Sequence, residues 1–241
     1  MKKTNLEKTL DIIAEMKRKG IKKVSLGFST GKDSVFGMHI LQANGIEVIP
    51  FYHYIIPDIK FIETNIQMYE DFFQTKIIRL PHPMLNDYIK YTYFQPLHKA
   101  ANMSRYGTKH MGFQDIEQWY FKEAGLAPVE YDSNCMKMAD SLNRRLMLRN
   151  RPDIDEARKI VYIGKYIIDS EIWAYFKENN VPVTKDYEIF GRSADDLLNY
   201  QYLSGIKKHY PEDYATILEY FPLAEVELLR YKAYLKHYKQ K

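Results

Sequence analysis

Residues 24–38 hold a strand-like pattern, a polar turn and a helix-like pattern in direct succession. Apolar residues first alternate, and from Ser34 onward they recur at helical spacing. These residues are Val24, Leu26 and Phe28 in the first part and Val35, Met38, Ile40 and Leu41 in the second. The polar hexapeptide at 29–34 is therefore predicted to connect a β-strand to an α-helix.

The composition of this hexapeptide suits an anion. A helix that begins there presents backbone N–H groups and a partial positive charge to a phosphate. Gly31 permits close approach of the backbone, and Lys32 adds a mobile point charge. Ser29 and Ser34 add hydroxyl donors, while Asp33 either caps the helix or faces a metal ion.

The spacing of the glycines excludes an ordinary P-loop. That loop needs four residues between its first glycine and the Gly-Lys pair, and Ser or Thr directly after the lysine. Here three residues separate Gly27 from Gly31, and Asp33 follows Lys32. An acidic group thus stands where a P-loop has its magnesium-binding hydroxyl.

The hexapeptide resembles the Ser-Gly-Gly-x-Asp-Ser signature of the PP-loop ATP pyrophosphatases and of the related phosphoadenosine phosphosulfate (PAPS) reductases. Ser29, Gly31, Asp33 and Ser34 match it, and Thr30 replaces the first glycine. Threonine is costly at positive φ, which leaves room for a different local turn.

Strands and helices are predicted to alternate along the first third of the chain. The predicted order is a helix capped by Thr4 and Glu7 with Leu10, Ile13 and Met16 on one face, a strand at 24–28, a helix to 44, a strand at 46–56, a helix at 58–74 and a strand at 76–80. Helices between strands imply an α/β fold with a parallel sheet whose carboxyl ends gather the ligand site. The resemblance makes this fold adenine nucleotide alpha-hydrolase-like, and thus Rossmann-like.

The chain is predicted to hold a nucleotide-binding α/β domain at 1–190 and a helical C-terminal extension at 191–241. In the extension, Pro211 and Pro222 suit first helical turns. Val226, Leu229 and Ala233 share one helical face. An aromatic-rich stretch at 84–112 is read either as a substrate-covering loop or as a structural insertion, and a helix is expected from 113 to 123.

A second anion site is predicted near residues 135–145. Asp140 or Ser141 caps a helix whose first turn presents Arg144 and Arg145. Together with Lys137, the two guanidinium groups would neutralise the far end of a polyphosphate; a solvated basic helix start is the alternative. Relatives among the PAPS reductases carry a similar run of a basic residue, an acidic residue, serine and paired arginines, matched by Lys137, Asp140, Ser141, Arg144 and Arg145.

Residues 165–187 resemble a third family feature, a Trp-containing helix with an acidic start. Asp169 or Ser170 is predicted to cap a helix that ends at Asn179 and Asn180. Its buried residues are predicted to be Ile172, Trp173 and Phe176. Farther along, Arg192 is predicted to add a third basic contact to the nucleotide.

Composition adds few constraints. The formal net charge of +4 is too small to argue for nucleic acid, although it allows it. The one cysteine, Cys135, excludes an internal disulfide, a multi-cysteine zinc site and a four-cysteine iron–sulfur cluster. No apolar run suits a membrane span or a signal core, so the cytoplasm is the expected compartment.

The resemblance implies an enzyme that binds an adenine nucleotide, ATP or PAPS, with Mg²⁺. In the pyrophosphatase branch a substrate oxygen attacks the α-phosphorus of ATP and pyrophosphate leaves. The residues assigned to the nucleotide are Phe28, Ser29, Thr30, Gly31, Ser34, Asp140 and Ser141, together with Arg192, whose assignment rests on its place in a loop and not on the resemblance. The catalytic groups are Lys32, Asp33, Lys137, Arg144 and Arg145, with Asp33 also as the metal ligand.

Two other functions stay open at this point. Reduction of a sulfonucleotide needs a thiolate, which the family's reductases carry near the C-terminus. The only cysteine here is Cys135, which is interpreted either as a reactive thiolate or, preferably, as a packed and inert thiol. A nucleotide-binding subunit without turnover, working with a protein partner, is the second alternative. Some family members insert sulfur into DNA or tRNA, so nucleic acid is a further candidate substrate. The resemblance is also compatible with an oligomer.

Overall fold

The structure is a computed structural model that describes residues 3–99, 111–193 and 198–238. The stretch predicted as a loop or insertion at 84–112 lies partly outside these ranges, so the choice between the two is not tested. Its first part forms a helix, which the sequence did not predict. That helix begins after His82, whose Nδ1 accepts a hydrogen bond from the Met84 N–H at 3.0 Å.

Strands and helices alternate along the first part of the chain, as predicted. The strands are β1 Lys23–Gly27, β2 Glu47–Tyr54, β3 Ile78–Pro81, β4 Asp132–Ser133, β5 Ile154–Asp155 and β6 Ile160–Val161. The helices are α1 Asn5–Arg18, α2 Lys32–Ala43, α3 Lys60–Phe73, α4 Pro83–Lys90, α5 Phe113–Glu123, α6 Leu142–Arg149, α7 Asp169–Glu178, α8 Asp186–Phe190, α9 Tyr200–His209, α10 Pro211–Tyr220 and α11 Glu225–Tyr238, with a 3₁₀ turn at Pro222–Ala224.

The strands of the described residues form one sheet in the order β3-β2-β1-β4-β6-β5. The pairs β1–β2, β1–β4 and β4–β6 are parallel, which confirms the predicted α/β fold with a parallel sheet flanked by helices. The edge strand β5 runs antiparallel to β6, and the sequence did not predict it. The strand order reverses between β1 and β4, and the carboxyl ends of parallel strands at such a point form a crevice that ligands use.

Local signals predicted the start and end of α1 correctly. Thr4 and Glu7 form the capping box: the Thr4 hydroxyl accepts from the Glu7 N–H at 3.1 Å, and the Glu7 carboxylate accepts from the Thr4 N–H. Gly20 adopts a φ of 76° just after the helix, where a residue without a Cβ is favoured. The helix therefore ends at the position that its sequence predicts.

The structure divides into two compact units made of alternating chain segments. The first unit is residues 1–52, 69–79 and 118–183, and the second is residues 53–68, 80–117 and 184–241. The second unit thus includes two segments that precede the predicted C-terminal extension. The boundary at 190/191 stays a prediction.

Aromatic rings and aliphatic side chains fill the core of the first unit around β1. Phe28, which follows β1, is buried and meets Tyr69 and Phe73 edge-on, with ring centroids 5.4 and 6.1 Å apart. Ile13 and Met16 of α1 are buried as well. Val24, Ser25 and Leu26 of β1 are all buried, so both faces of this strand are covered.

In the second unit, a carboxylate from one helix caps the start of another. Asp213 of α10 is buried and accepts hydrogen bonds from the backbone N–H groups of Lys60 at 2.8 Å and Phe61 at 3.1 Å, at the start of α3. The Phe61 ring stacks on Tyr210 with centroids 4.6 Å apart. The predicted roles of Pro211 and Pro222 as first-turn residues are confirmed.

The predicted burial of Trp173 is wrong, because helical spacing does not say which side of a helix is covered. Leu10 of α1 and Trp173 of α7 are exposed, although their neighbours Ile13 and Ile172 are buried. In α11 the face of Val226 and Leu229 is exposed, and Leu228 is the residue that packs. Within the described residues no helix is both long and apolar enough to cross a membrane.

Replacing Gly164 by alanine is expected to destabilise the first unit. An added Cβ would lie 2.4 Å from the carbonyl oxygen of Cys135, closer than atoms tolerate, so backbone must move. We expect a loss of about 1–3 kcal/mol in the free energy of unfolding, measured by urea denaturation. Gly27→Ala is the matched control, because a Cβ added there would meet nothing within 4 Å, and it should cost less than Gly164→Ala.

Candidate functional site

The turn after β1 is braced by the hydroxyl of Ser34. Its Oγ accepts from the Ser29 N–H at 3.2 Å and donates to the Gly31 carbonyl at 2.9 Å. Ser34 is buried, so this hydroxyl shapes the loop instead of facing solvent. The exposed Ser29 is the serine placed to meet a ligand.

Thr30 adopts a φ of 59° and is buried. The chain therefore makes a left-handed turn at the position where the family signature has glycine, in spite of the steric cost to a β-branched residue. The turn geometry of a glycine is thus kept with a different residue.

Helix α2 begins at Lys32, with Gly31 as its N-terminal cap residue and no side-chain cap. The first helical hydrogen bond runs from the Val35 N–H to the Gly31 carbonyl at 3.0 Å. The amides of this first turn have no acceptor within the helix, and they carry the positive end of its dipole. The predicted capping role of Asp33 is wrong, because this residue lies inside the first turn and bonds elsewhere.

The ammonium group of Lys137 organises the site. Lys137 follows β4 and its side chain is 1% exposed. Its Nζ donates to Asp33 Oδ1 at 2.6 Å and Asp169 Oδ1 at 2.7 Å, and lies 3.2 Å from Asp140 Oδ1. Three carboxylates from three chain segments thus surround one ammonium group, and two of them accept hydrogen bonds from it.

These contacts keep Lys137 charged. Burial by itself would lower the pKa of Lys137, but the hydrogen bonds that Lys137 donates to Asp169 and Asp33, together with the negative charge of Asp140, raise this pKa above its usual value. For Asp169 the effects have the opposite signs. Partial burial by itself would raise its pKa, but the hydrogen bonds and positive charges of Lys137 and Lys32 lower this pKa below its usual value. Lys137 and Asp169 therefore form an ion pair at neutral pH.

Lys32 completes the group of cations at the loop. Its Nζ lies 3.4 Å from Asp169 Oδ2 and 3.5 Å from Asp33 Oδ1, and its side chain is 19% exposed. Asp169 thus bridges the two lysines. The sequence predicted Asp169 only as a helix cap and not as a member of the site. Lys137 and Lys32 are 32 and 137 positions from Asp169 in the chain, and no local sequence pattern indicates contacts over such separations.

The predicted arginine pair lies at the start of α6, where Ser141 is the cap residue as predicted. The Ser141 hydroxyl accepts from the Arg144 N–H at 3.2 Å. The Arg144 guanidinium pairs with Asp140, which links it to Lys137. Arg145 is exposed and donates weakly to the Met138 carbonyl at 3.4 Å.

Two other predicted site residues have different surroundings. The ring of Phe28 belongs to the core, so only its backbone is available to the loop. Arg192 lies in the second unit, where its guanidinium sits over the Tyr202 ring at 5.1 Å and donates to the Tyr202 hydroxyl. Its role at the nucleotide stays a prediction.

Helix α7, which carries Asp169, is fixed against α2, which carries Lys32. The Tyr175 hydroxyl and His39 Nδ1 are 2.7 Å apart, and the Tyr175 ring meets Phe36 edge-on at 5.1 Å. Burial raises the pKa of Tyr175 to about 12 and lowers the pKa of His39, so both groups are neutral at pH 7. The predicted caps Asp169 and Ser170 are wrong: the cap residue is Ile168, whose N–H donates to Glu171 at 3.1 Å.

Cys135 is packed between two glycines. A Cβ at Gly37 would lie 2.3 Å from its sulfur, and one at Gly164 would meet its backbone. Burial and the nearby charge of Asp33 raise the pKa of the Cys135 thiol to about 12. This agrees with the packed, inert thiol that the sequence favoured.

Among the described residues, no three histidine, cysteine or acidic side chains are arranged to hold a metal ion by themselves. The three carboxylates around Lys137 surround an ammonium group instead. Asp33 as a metal ligand therefore stays a prediction.

Comparisons with known proteins add little to this geometry. No protein-family model matches the chain, and no curated protein matches its sequence. The structure is similar to an NH3-dependent NAD synthetase from Campylobacter jejuni subsp. jejuni solved with a nitrate ion, with a TM-score of 0.47 and 15% identity over 95% of this chain and 94% of that chain. A similarity of this size does not bear on what the chain binds.

Lys137→Met is expected to lower the free energy of unfolding by roughly 2–3 kcal/mol at pH 7, because three carboxylates lose their shared cation. The loss is smaller than for a fully buried ion pair because the carboxylates are partly exposed. The folded-state pKa of Asp169 is depressed, so its stabilising effect exists above the unfolded value of 3.8 and is lost as pH falls through the folded value. The difference in the free energy of unfolding between Lys137→Met and wild type should therefore become smaller below pH 4. Urea denaturation across pH measures it, with the exposed Lys122→Met as control.

Cys135 is expected to resist thiol reagents in the folded protein. A rise in pKa from 9.0 to about 12 lowers the thiolate fraction at pH 8 roughly a thousandfold. Timed reaction with a colorimetric disulfide reagent should be slow in buffer and fast in guanidinium chloride. Rapid labelling of the folded chain would contradict the packed thiol.

Proposed function

We propose that this protein binds an adenine nucleotide and acts as an ATP pyrophosphatase of the PP-loop and PAPS reductase type, transferring adenylate to an acceptor and releasing pyrophosphate. One observation carries the proposal: two lysines from the carboxyl ends of adjacent strands, Lys32 after β1 and Lys137 after β4, meet through shared carboxylates at the first turn of α2. This is the point of the sheet where the strand order reverses.

The residues divide into those that bind and those that hold the binding groups in place. Ser29, the first amides of α2 and the Lys32 ammonium would hold the phosphates. Ser34 and Thr30 fix the turn from which these groups project. Lys137 holds Asp33 and Asp140, and through Asp140 it positions Arg144.

Such a site would catalyse mainly by positioning and by electrostatics. An acceptor oxygen attacks the α-phosphorus, the bond from that phosphorus to the bridging oxygen breaks, and pyrophosphate leaves with the bonding electron pair. Lys32 and the α2 amides would stabilise the charge that develops on the leaving group. Arg145, exposed at the start of α6, is available for a second contact with the nucleotide.

Magnesium fits this site as a companion of the phosphates. Mg²⁺ in such sites is bound by one or two carboxylates together with phosphate oxygens and water. Asp33 is a partly exposed carboxylate at the loop and is the residue that would hold it. When bound, the ion would neutralise polyphosphate charge.

The reductase alternative has less support. It requires a thiolate nucleophile, and the one cysteine of the chain is half-buried, with the pKa of its thiol raised to about 12. The acceptor, a protein partner and a DNA or tRNA substrate stay predictions of the family resemblance.

Lys32→Ala is expected to weaken ATP binding at least tenfold, because a charge-assisted contact with the phosphates is lost. Isothermal titration calorimetry with magnesium and ATP measures the change. The matched control is Lys23→Ala, which removes a lysine from the other end of β1, where it pairs with Glu47 at 2.9 Å. Equal affinity for both variants and wild type would contradict the proposed site.

The same preparations separate turnover from binding alone. Exchange of labelled pyrophosphate into ATP, assayed with candidate acceptors, is expected in wild type and is lost in Lys32→Ala. Binding without exchange with any acceptor would favour a nucleotide-binding subunit.

A further inference from the structure

Asp169 occupies the position that a phosphate oxygen would take between two lysines. It is the first residue of α7, with Oδ1 at 2.7 Å from Lys137 Nζ and Oδ2 at 3.4 Å from Lys32 Nζ. A carboxylate that spans two ammonium groups has the charge and the spacing of an anionic oxygen pair. The site therefore contains its own anion.

This arrangement surrounds the Lys137 ammonium group with carboxylates. Asp33 and Asp169 each accept a hydrogen bond from it, and Asp140 Oδ1 lies 3.2 Å away as an ion-pair partner. A phosphate can bond to Lys137 only if one carboxylate leaves. The ligand that enters must therefore compete with a side chain of the protein.

Asp169 is the carboxylate best placed to leave. Its side chain is 59% exposed, against 33% for Asp33 and 21% for Asp140. Asp33 is fixed in the first turn of α2, and Asp140 also pairs with Arg144. Because Asp169 also contacts Lys32, movement of this one carboxylate removes a counter-ion from both cations.

The helix that carries Asp169 does not need to move with it. Ile172 and Phe176 of α7 are buried, and Tyr175 bonds to His39 on α2. The cap of α7 is made by Glu171, which also accepts from the Asn5 side chain at 3.2 Å. Since none of these contacts involves Asp169, rotation of its side chain into solvent is sufficient.

We infer that Asp169 is a positioning residue of the phosphate site, a displaceable counter-ion that holds Lys32 and Lys137 apart from solvent anions and gives way to a polyphosphate. The inference rests on the proposed function, since it takes Lys32 to be a phosphate ligand, and it adds that Lys137 becomes available to the phosphates when Asp169 leaves. The carboxylate lowers the affinity for phosphate by direct competition. Its return to the lysines favours the release of pyrophosphate.

The test measures binding of pyrophosphate, and of ATP, to the full chain in magnesium-free buffer by titration calorimetry. Asp169→Asn keeps an oxygen for Lys137 but removes the competing charge, so both ligands should bind about tenfold tighter than to wild type. Asp169→Ser is run beside it, so that a folding defect in one variant does not decide the result. The matched control is Glu156→Gln, which removes an equally exposed carboxylate paired with Lys19.

A double variant distinguishes competition from a structural effect. If Asp169 competes for Lys32, the gain from Asp169→Asn should shrink in a Lys32→Ala background, whereas a general change in folding would persist. Tighter binding in the wild-type background only, with Glu156→Gln unchanged, supports the inference. Binding that is detected only after Asp169 is replaced supports it as well.

Two outcomes would overturn the inference about Asp169. The first leaves the proposed function intact, and the second contradicts it as well. If wild type binds pyrophosphate, Lys32→Ala weakens it and both Asp169 variants bind no tighter than wild type, Asp169 does not compete and the proposed function stands. If neither wild type nor the Asp169 variants bind pyrophosphate or ATP, with or without magnesium, the proposed function fails together with the inference.

Discussion

The described part of the candidate site depends on a single buried ammonium group. Lys137 joins Asp33 of α2, Asp140 ahead of α6 and Asp169 of α7, three segments that are distant in the chain. A buried lysine without such partners would lose its proton, and the carboxylates without the lysine would repel one another. The charges are therefore mutually required, and the places where α2, α6 and α7 begin are held in register by them.

The sheet explains why this cluster forms where it does. Because β1 and β4 are parallel neighbours, the chain leaves both at the same edge, and the turn after β1 meets the segment after β4 there. Close packing behind the cluster depends on small residues. Gly37 on α2 leaves room for the sulfur of Cys135, and Gly164 leaves room for its backbone. The segment that carries Lys137 can thereby approach α2 closely enough for its side chain to reach Asp33.

The sequence predicted what is encoded locally and missed what depends on distant partners. The capping box of α1, the turn into α2 and the Ser141 cap are all set by residues within a few positions, and all were predicted. Exposure of Leu10 and Trp173 depends on which neighbour covers the helix, which periodicity does not report. The Ser34 hydroxyl was expected to face a ligand, but the loop itself uses both its donor and its acceptor.

The left-handed backbone at Thr30 shows that the shape of this loop is imposed by its surroundings and not by the preference of the residue itself. A left-handed turn at this position therefore does not require glycine. A sequence pattern that demands glycine there would miss chains whose backbone follows the same path. A search by the path of the chain, with the lysine and aspartate behind it, would retain them.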